Sequence, residues 1–173
     1  MDYQLTEQQQ AIVDTTREIA QKKIKPRREH YDRTEEYPWD IVEELRKADL
    51  FGVYIPEEYG GLGGGAFELV LAVEEMSKVC GGTALILAGT ALGAYPIILY
   101  GTEEQKKKYL PDLASGKRLG AFTITEPEAG SDATATKATA RLDGDHYVLN
   151  GTKVYCTNVE ALHQACAATS GLE

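Results

Sequence analysis

The sequence predicts an α+β protein: an amino-terminal all-α, helix-bundle-like domain followed by an antiparallel β-part. Helix punctuation, including two capping boxes, runs through the first two thirds of the chain. After Leu119 the composition turns β-branched and aromatic, and two hairpin-type dipeptides appear, Asp143-Gly144 and Asn150-Gly151.

The first helix opens at Thr6-Glu7-Gln8-Gln9, where the Thr6 hydroxyl can cap the helix and Gln9 can reach back. Ile12, Val13, Thr16, Ile19 and Ala20 then fall on one stripe, and Pro26 is expected to end or kink the helix. A second helix is expected from Pro38 to Gly52, burying Trp39, Ile41, Val42 and Leu45. The run from Ile55 to Gly65 carries too many glycines for regular structure and reads as a loop. Ala66 to Val79 reads as a third helix with Phe67, Val70, Val73 and Met76 inward, broken by Gly81 and Gly82. The apolar segment from Thr83 to Tyr100 reads as an almost wholly buried helix, bent or split near Pro96. Thr102-Glu103-Glu104-Gln105 is the second capping box, opening a charged helix that ends near Ser115-Gly116. Beyond it, Phe122 to Thr125, His146 to Leu149 and Thr152 to Thr157 are strand-like.

The formal net charge of -9 argues against nucleic acid or an anionic membrane as the main partner, yet leaves room for a local anion-binding pocket. The polar start from Met1 to Gln10 does not resemble a secretory signal. Gly89, Gly93 and Pro96 interrupt the most apolar stretch, which favours a core helix over a membrane span. Three cysteines without Cys-x-x-Cys spacing, and three histidines, support neither a disulfide framework nor a metal site.

The segment Phe122-Thr123-Ile124-Thr125-Glu126-Pro127-Glu128-Ala129-Gly130-Ser131-Asp132 concentrates the chemistry. A strand would run into a tight turn whose hydroxyls and free amides can bond a ring edge or a phosphate without formal charge. Taken alone, such a turn is more often structural than a cofactor loop.

Its context changes that balance. Thr125 to Asp132 resembles the flavin-binding motif of acyl-CoA dehydrogenases, Thr-Glu-Pro-x-x-Gly-Ser-Asp, at every fixed position. Leu5 to Gln9, Val53 to Gly61, Tyr100 to Lys106, Leu149 to Lys153 and Tyr155 to Asn158 also resemble the family, in order and with its spacing. The resemblance implies a helical domain over residues 1–119, a truncated middle β-domain over 120–158 and a non-matching tail over 159–173.

By the same resemblance, Phe122, Thr123, Ile124, Thr125, Gly130 and Ser131 would line the isoalloxazine and pyrophosphate of FAD. Thr125 would bond the pyrimidine side of the ring, and Ser131 would also border the acyl-CoA substrate. Tyr155, Cys156 and Thr157 would form a second strand against the ring, with the Thr157 hydroxyl beside flavin N5. The family usually has Trp-Ile-Thr there, so Tyr155 keeps an aromatic and Cys156 is a small apolar substitute. The implied reaction converts a fatty acyl-CoA to trans-2-enoyl-CoA and passes electrons to electron-transfer flavoprotein. The implied assembly is a homotetramer, in the bacterial cytoplasm or, for a mature eukaryotic chain, the mitochondrial matrix. The family's base is a glutamate of a carboxy-terminal helical domain, so no catalytic residue is assigned here and the isolated chain is expected to be incomplete.

Two other readings stay open: a related flavin oxidase or monooxygenase, and a non-catalytic assembly module. Glu126 and Glu128 read as turn residues rather than an acid–base pair, and Glu74 and Glu75 as solvated or salt-bridged. His146 reads as a surface residue, the glycines around Gly63 lack the Gly-Lys-Ser/Thr of a phosphate loop, and nothing activates Cys166.

Overall fold

The computed structural model describes residues 4–159; the tail beyond Val159, with Cys166, lies outside the described residues. Helix α1 (Glu7–Ile19) starts on the expected box, with Thr6 Oγ1 accepting from Gln9 N–H and Gln9 Oε1 accepting from Thr6 N–H. It continues into a π-helical turn (Ala20–Ile24) before Pro26, which keeps Ala20 and Ile24 in the core. Helix α2 (Arg28–Thr34) follows, at a stretch whose residues carry no apolar stripe, and it buries none of them fully.

Helix α3 (Trp39–Lys47) is shorter than expected. Pro38 sits at its N-cap, and a separate 3₁₀ turn (Leu50–Gly52) carries the chain on. Ile41, Val42 and Leu45 are buried as predicted, but Trp39 is 40% exposed and packs on the Tyr37 ring instead. Helix α4 (Ala66–Ser77) turns Leu71, Ala72, Glu75 and Met76 inward; Phe67 and Val70, expected in the core, are 54% and 56% exposed. Residues spaced by threes drift around a helix of 3.6 residues per turn, so the stripe through Phe67 and Val70 leaves the core face that Met76 occupies.

Gly81 and Gly82 begin helix α5 (Gly81–Tyr100) rather than merely separating two helices, with Cys80 at the N-cap. Helix α5 is continuous through Pro96 instead of split there, and it is only partly buried rather than almost wholly so, with Leu85, Leu92, Leu99 and Tyr100 all exposed. Proline removes the bond to the Leu92 carbonyl, and Leu92 lies on the exposed side, where water can replace it. Its other face packs against α4 and against α6 (Glu103–Ala114), which begins on the second capping box. Phe51, Tyr54, Ile55 and Leu87 fill the centre between these helices.

The buried carboxylate of Glu75 is an exception within this core. It accepts two bonds from the Arg17 guanidinium (3.0 and 3.1 Å) and one from Lys78 (2.7 Å). These partners hold its pKa below the ordinary range against the opposing effect of burial.

The β-part is smaller than the sequence suggests. Strands β1 (Thr139–Asp143) and β2 (His146–Asn150) pair antiparallel, Asp143 opposite His146, so the hairpin loop is Gly144-Asp145. Asn150-Gly151 does not form a second hairpin, and neither Phe122–Thr125 nor Thr152–Thr157 is a strand. Strand propensity needs a partner ladder to act on. Here one backbone bond, Val154 N–H to the Thr125 carbonyl (2.9 Å), joins the two runs.

Glu126 organises what remains. Its backbone exchanges two bonds with Ala129 (3.0 and 3.1 Å) across the Pro127-Glu128 turn. Its side chain, 7% exposed, accepts from Lys153 Nζ (2.8 Å) and from the backbone amides of Lys137 (2.7 Å) and Ala138 (3.0 Å). Lys153 first, then the two amides, pull its pKa down to about 2. Glu126 thus takes the structural turn role expected of it, and Glu75 the salt-bridged one.

Two expectations follow. Glu75→Gln removes the charge but leaves half-exposed Arg17 free to solvate, so stability in urea should fall by about 1 kcal/mol rather than by the larger cost of a fully buried pair. Glu126 has a depressed pKa in the folded chain, so its contribution is complete above its ordinary 4.5 and is lost as pH falls toward about 2. Hydrogen-exchange protection of the Lys137 and Ala138 amides should drop through that window. Glu126→Gln should weaken protection throughout and abolish the pH step.

Candidate functional site

Helix α5 positions both segments that the sequence singles out. Gly89 and Gly93 lie one turn apart on the same helix face. A Cβ on Gly93 would stand 3.0 Å from the Ala121 backbone, and one on Gly89 would stand 2.8 Å from the Thr157 methyl. The absent side chains therefore let the start of the Phe122–Ser131 segment and the Thr157 turn come directly onto the helix. Helix propensity alone would prefer alanine at both positions.

Phe122 and Ile124 are 43% and 46% exposed, so the segment presents apolar side chains rather than burying them. Lys153 Nζ donates to the Ile124 carbonyl (2.9 Å) as well as to Glu126, fixing the segment at both ends of Thr125. Thr123 lines an open groove of about 450 Å³ with Thr139, Leu149, Asn150 and Lys153. Thr125 and Cys156 are partly buried, while Gly130 and Ser131 are exposed beyond the Glu126–Ala129 turn. Tyr155 is 90% exposed with a left-handed backbone (φ 57°), so it stands away from the protein rather than forming a packed wall.

Thr157 is partly buried in a turn at the rim of a second open groove, about 560 Å³, between the α2–α3 connection and the start of α5. Arg28, Tyr31, Tyr37, Leu85 and Ile86 are among its lining residues. The Thr125, Ser131 and Thr157 hydroxyls form no hydrogen bond with another described residue. Among the described residues, no group of three or more His, Cys, Asp and Glu converges as metal ligands.

The structure thus joins the Thr125 and Tyr155–Thr157 segments through Val154 and through α5, while no bond among the described residues ties Ser131 to the Thr157 turn. Hydroxyls that no other described residue engages, and exposed apolar side chains, held on a fixed backbone, suit a flat aromatic group with a polar edge. Sequence reasoning passes over Asn158, Lys153 and the roles of Gly89 and Gly93. The Gly-x-x-x-Gly spacing inside an apolar helix was the available signal, since glycine there marks a close backbone approach.

Comparison with known proteins agrees with this arrangement. The chain matches the acyl-CoA dehydrogenase N-terminal domain over residues 6–117 and the acyl-CoA dehydrogenase middle domain over residues 121–171, the latter running past Asn158, where the resemblance read from the sequence ends. It is 45% identical to the short-chain-specific acyl-CoA dehydrogenase of Clostridium acetobutylicum across 91% of this chain, and spans only 42% of that relative's length. A solved structure described as the electron transferring flavoprotein of Acidaminococcus fermentans, studied for flavin-based electron bifurcation, contains a chain that superimposes with a TM-score of 0.86. The identity is 46%, over 91% of this chain and 42% of that one. An acyl-CoA dehydrogenase of Bacillus anthracis complexed with FAD gives a TM-score of 0.77 at 38% identity, over 89% of this chain and 27% of that one. Helices, flavin-motif turn and family match together identify the chain as a member of the acyl-CoA dehydrogenase family.

Proposed function

We propose that this chain is the amino-terminal part of an FAD-dependent acyl-CoA dehydrogenase that converts an acyl-CoA to the trans-2-enoyl-CoA. The observation that carries the reading is the joint seating of the Thr125 and Thr157 segments on α5 with hydroxyls that no other described residue engages. FAD binding is supported by the Bacillus anthracis relative, and a short acyl chain by the name of the Clostridium relative. Electron-transfer flavoprotein is the expected acceptor, a reading supported by the Acidaminococcus structure.

The residues present fit the cofactor. Phe122 and Ile124 offer exposed apolar contact, Thr123, Thr125 and Gly130 a polar edge, and Ser131 a hydroxyl suited to a phosphate or to the acyl-CoA border. Tyr155, Cys156 and Thr157 would flank the ring from the second segment. FAD, when bound, supplies a hydride acceptor for the β-carbon of the substrate. The chain's own part is to orient: a fixed hydroxyl at Thr157 would bond the ring edge without having to reorganise during reaction.

Proton removal from the α-carbon needs a base near neutral pKa within bonding reach. Glu126 does not qualify, because its oxygens are occupied and its pKa is held at about 2. Glu128 is exposed and paired with Lys137. The base is therefore proposed to come from the remainder of a longer protein, as the family resemblance implies.

The purified chain should bind FAD on titration, read as a change in flavin fluorescence, without holding it through desalting. Thr157→Ala should weaken FAD binding about fivefold, the worth of one neutral hydrogen bond, without changing the helical signal. A chain that leaves flavin fluorescence unchanged at saturating FAD would sink this reading. Bleaching on addition of butyryl-CoA, with a dye acceptor present, would instead locate a base within the chain.

A further inference from the structure

The Thr157 backbone needs something to hold it, since residues 151–157 belong to no ladder. The neighbour that supplies the hold is Asn158, 4% exposed and in a left-handed conformation (φ 63°). Its Nδ2 donates toward three oxygens: the Gly120 carbonyl (2.9 Å), the Ile86 carbonyl (3.2 Å) and Thr90 Oγ1 (3.2 Å). Its Oδ1 accepts from the Tyr37 hydroxyl (2.7 Å). One carboxamide therefore reaches helix α5, the entry to the Phe122 segment and the connection before α3. These groups come from parts of the chain far apart in sequence.

The chemistry requires an amide. The Ile86 and Gly120 groups are carbonyls that only accept, and Thr90 Oγ1 already donates to the Ile86 carbonyl (2.8 Å), so a carboxylate would face acceptors on that side. The oxygen end meets a phenol that donates. Left-handed backbone geometry is tolerated by asparagine better than by most residues, so conformation and side-chain chemistry select the same residue. With Asn158 locked, Thr157 has its methyl against Gly89 and its hydroxyl without a bond to another described residue.

We propose that Asn158 is a positioning residue for Thr157, its carboxamide setting where the Thr157 hydroxyl stands relative to α5 and the Phe122 segment. Its bearing on flavin rests on the function proposed above; its bearing on Thr157 does not.

The test separates the two. In the labelled wild-type chain, the Thr157 methyl protons should show a nuclear Overhauser effect to the Gly89 α-protons. Asn158→Gly deletes the carboxamide at a φ that glycine accepts, so it adds no backbone strain. That variant should lose the Thr157–Gly89 effect, keep its helical circular dichroism, melt a few degrees lower because buried partners of the carboxamide are left unmatched, and bind FAD up to about fivefold more weakly, the loss expected of Thr157→Ala. Tyr37→Phe, which removes one of the four contacts, should keep the effect. Persistence of the effect in Asn158→Gly, its absence from the wild type, or its loss together with the helical signal would each overturn the proposal. A wild type that shows the effect but binds no FAD would sink the flavin reading and leave the positioning role intact.

Discussion

The approach of two non-helical segments onto helix α5 governs the arrangement of residues 120–159. That contact is possible because α5 lacks side chains at Gly89 and Gly93, one turn apart. The helix gives up favourable intrinsic propensity there, about 1 kcal/mol at each position relative to alanine, to bring backbone against backbone. Burial elsewhere on α5 offsets this, since its inner face packs on both α4 and α6. The apolar helix is thus at once the centre of the bundle and the platform for the candidate site. A substitution that improved it as an isolated helix would displace the segments it carries.

Buried polar groups then set the register that packing cannot. Apolar contacts are non-directional, and the region from 119 to 159 has few of them. Glu126 draws Lys137, Ala138 and Lys153 into one cluster, and Asn158 draws Gly120, Ile86, Thr90 and Tyr37 into another. A buried acceptor or donor left unmatched costs more than a matched one contributes, so each cluster tolerates few alternative geometries. Glu75 performs the same service between α1 and α4.

Features governed by local chemistry could be read from the sequence. Both capping boxes, the α5 helix and the β1–β2 hairpin depend on neighbours within a few residues, and each appears within two residues of its signature, although α5 is only partly buried. Features governed by tertiary context were less legible. Helix α2 has no apolar stripe to announce it, Trp39 found a ring partner outside the core, and Phe67 and Val70 lie on a face that nothing described covers. Strand-like runs at 122–125 and 152–157 remain without ladders because a strand is a property of a pair. The Thr125–Asp132 motif was visible as a string of residue types, but its support was not. Lys153, Gly89, Gly93 and Asn158 lie far from it in sequence, and no local pattern links them.

The division between orientation and affinity bears on what such a chain can contribute alone. Hydrogen bonds from a fixed backbone select direction, whereas tight binding of a large flat ligand comes from burying its faces. Under the proposed function, residues 122–131 and 155–157 would supply mostly edges: hydroxyls, amides and two partly exposed apolar side chains. The chain spans 42% of the length of the Clostridium relative it resembles, and the faces of the ring would be covered largely by what lies outside residues 4–159. Prior fixing of the edge contacts by Asn158, Glu126 and the α5 glycines lowers the ordering entropy that later burial must overcome. On this physical account, the amino-terminal part defines how the cofactor would lie before the rest of the enzyme defines how tightly it would be held.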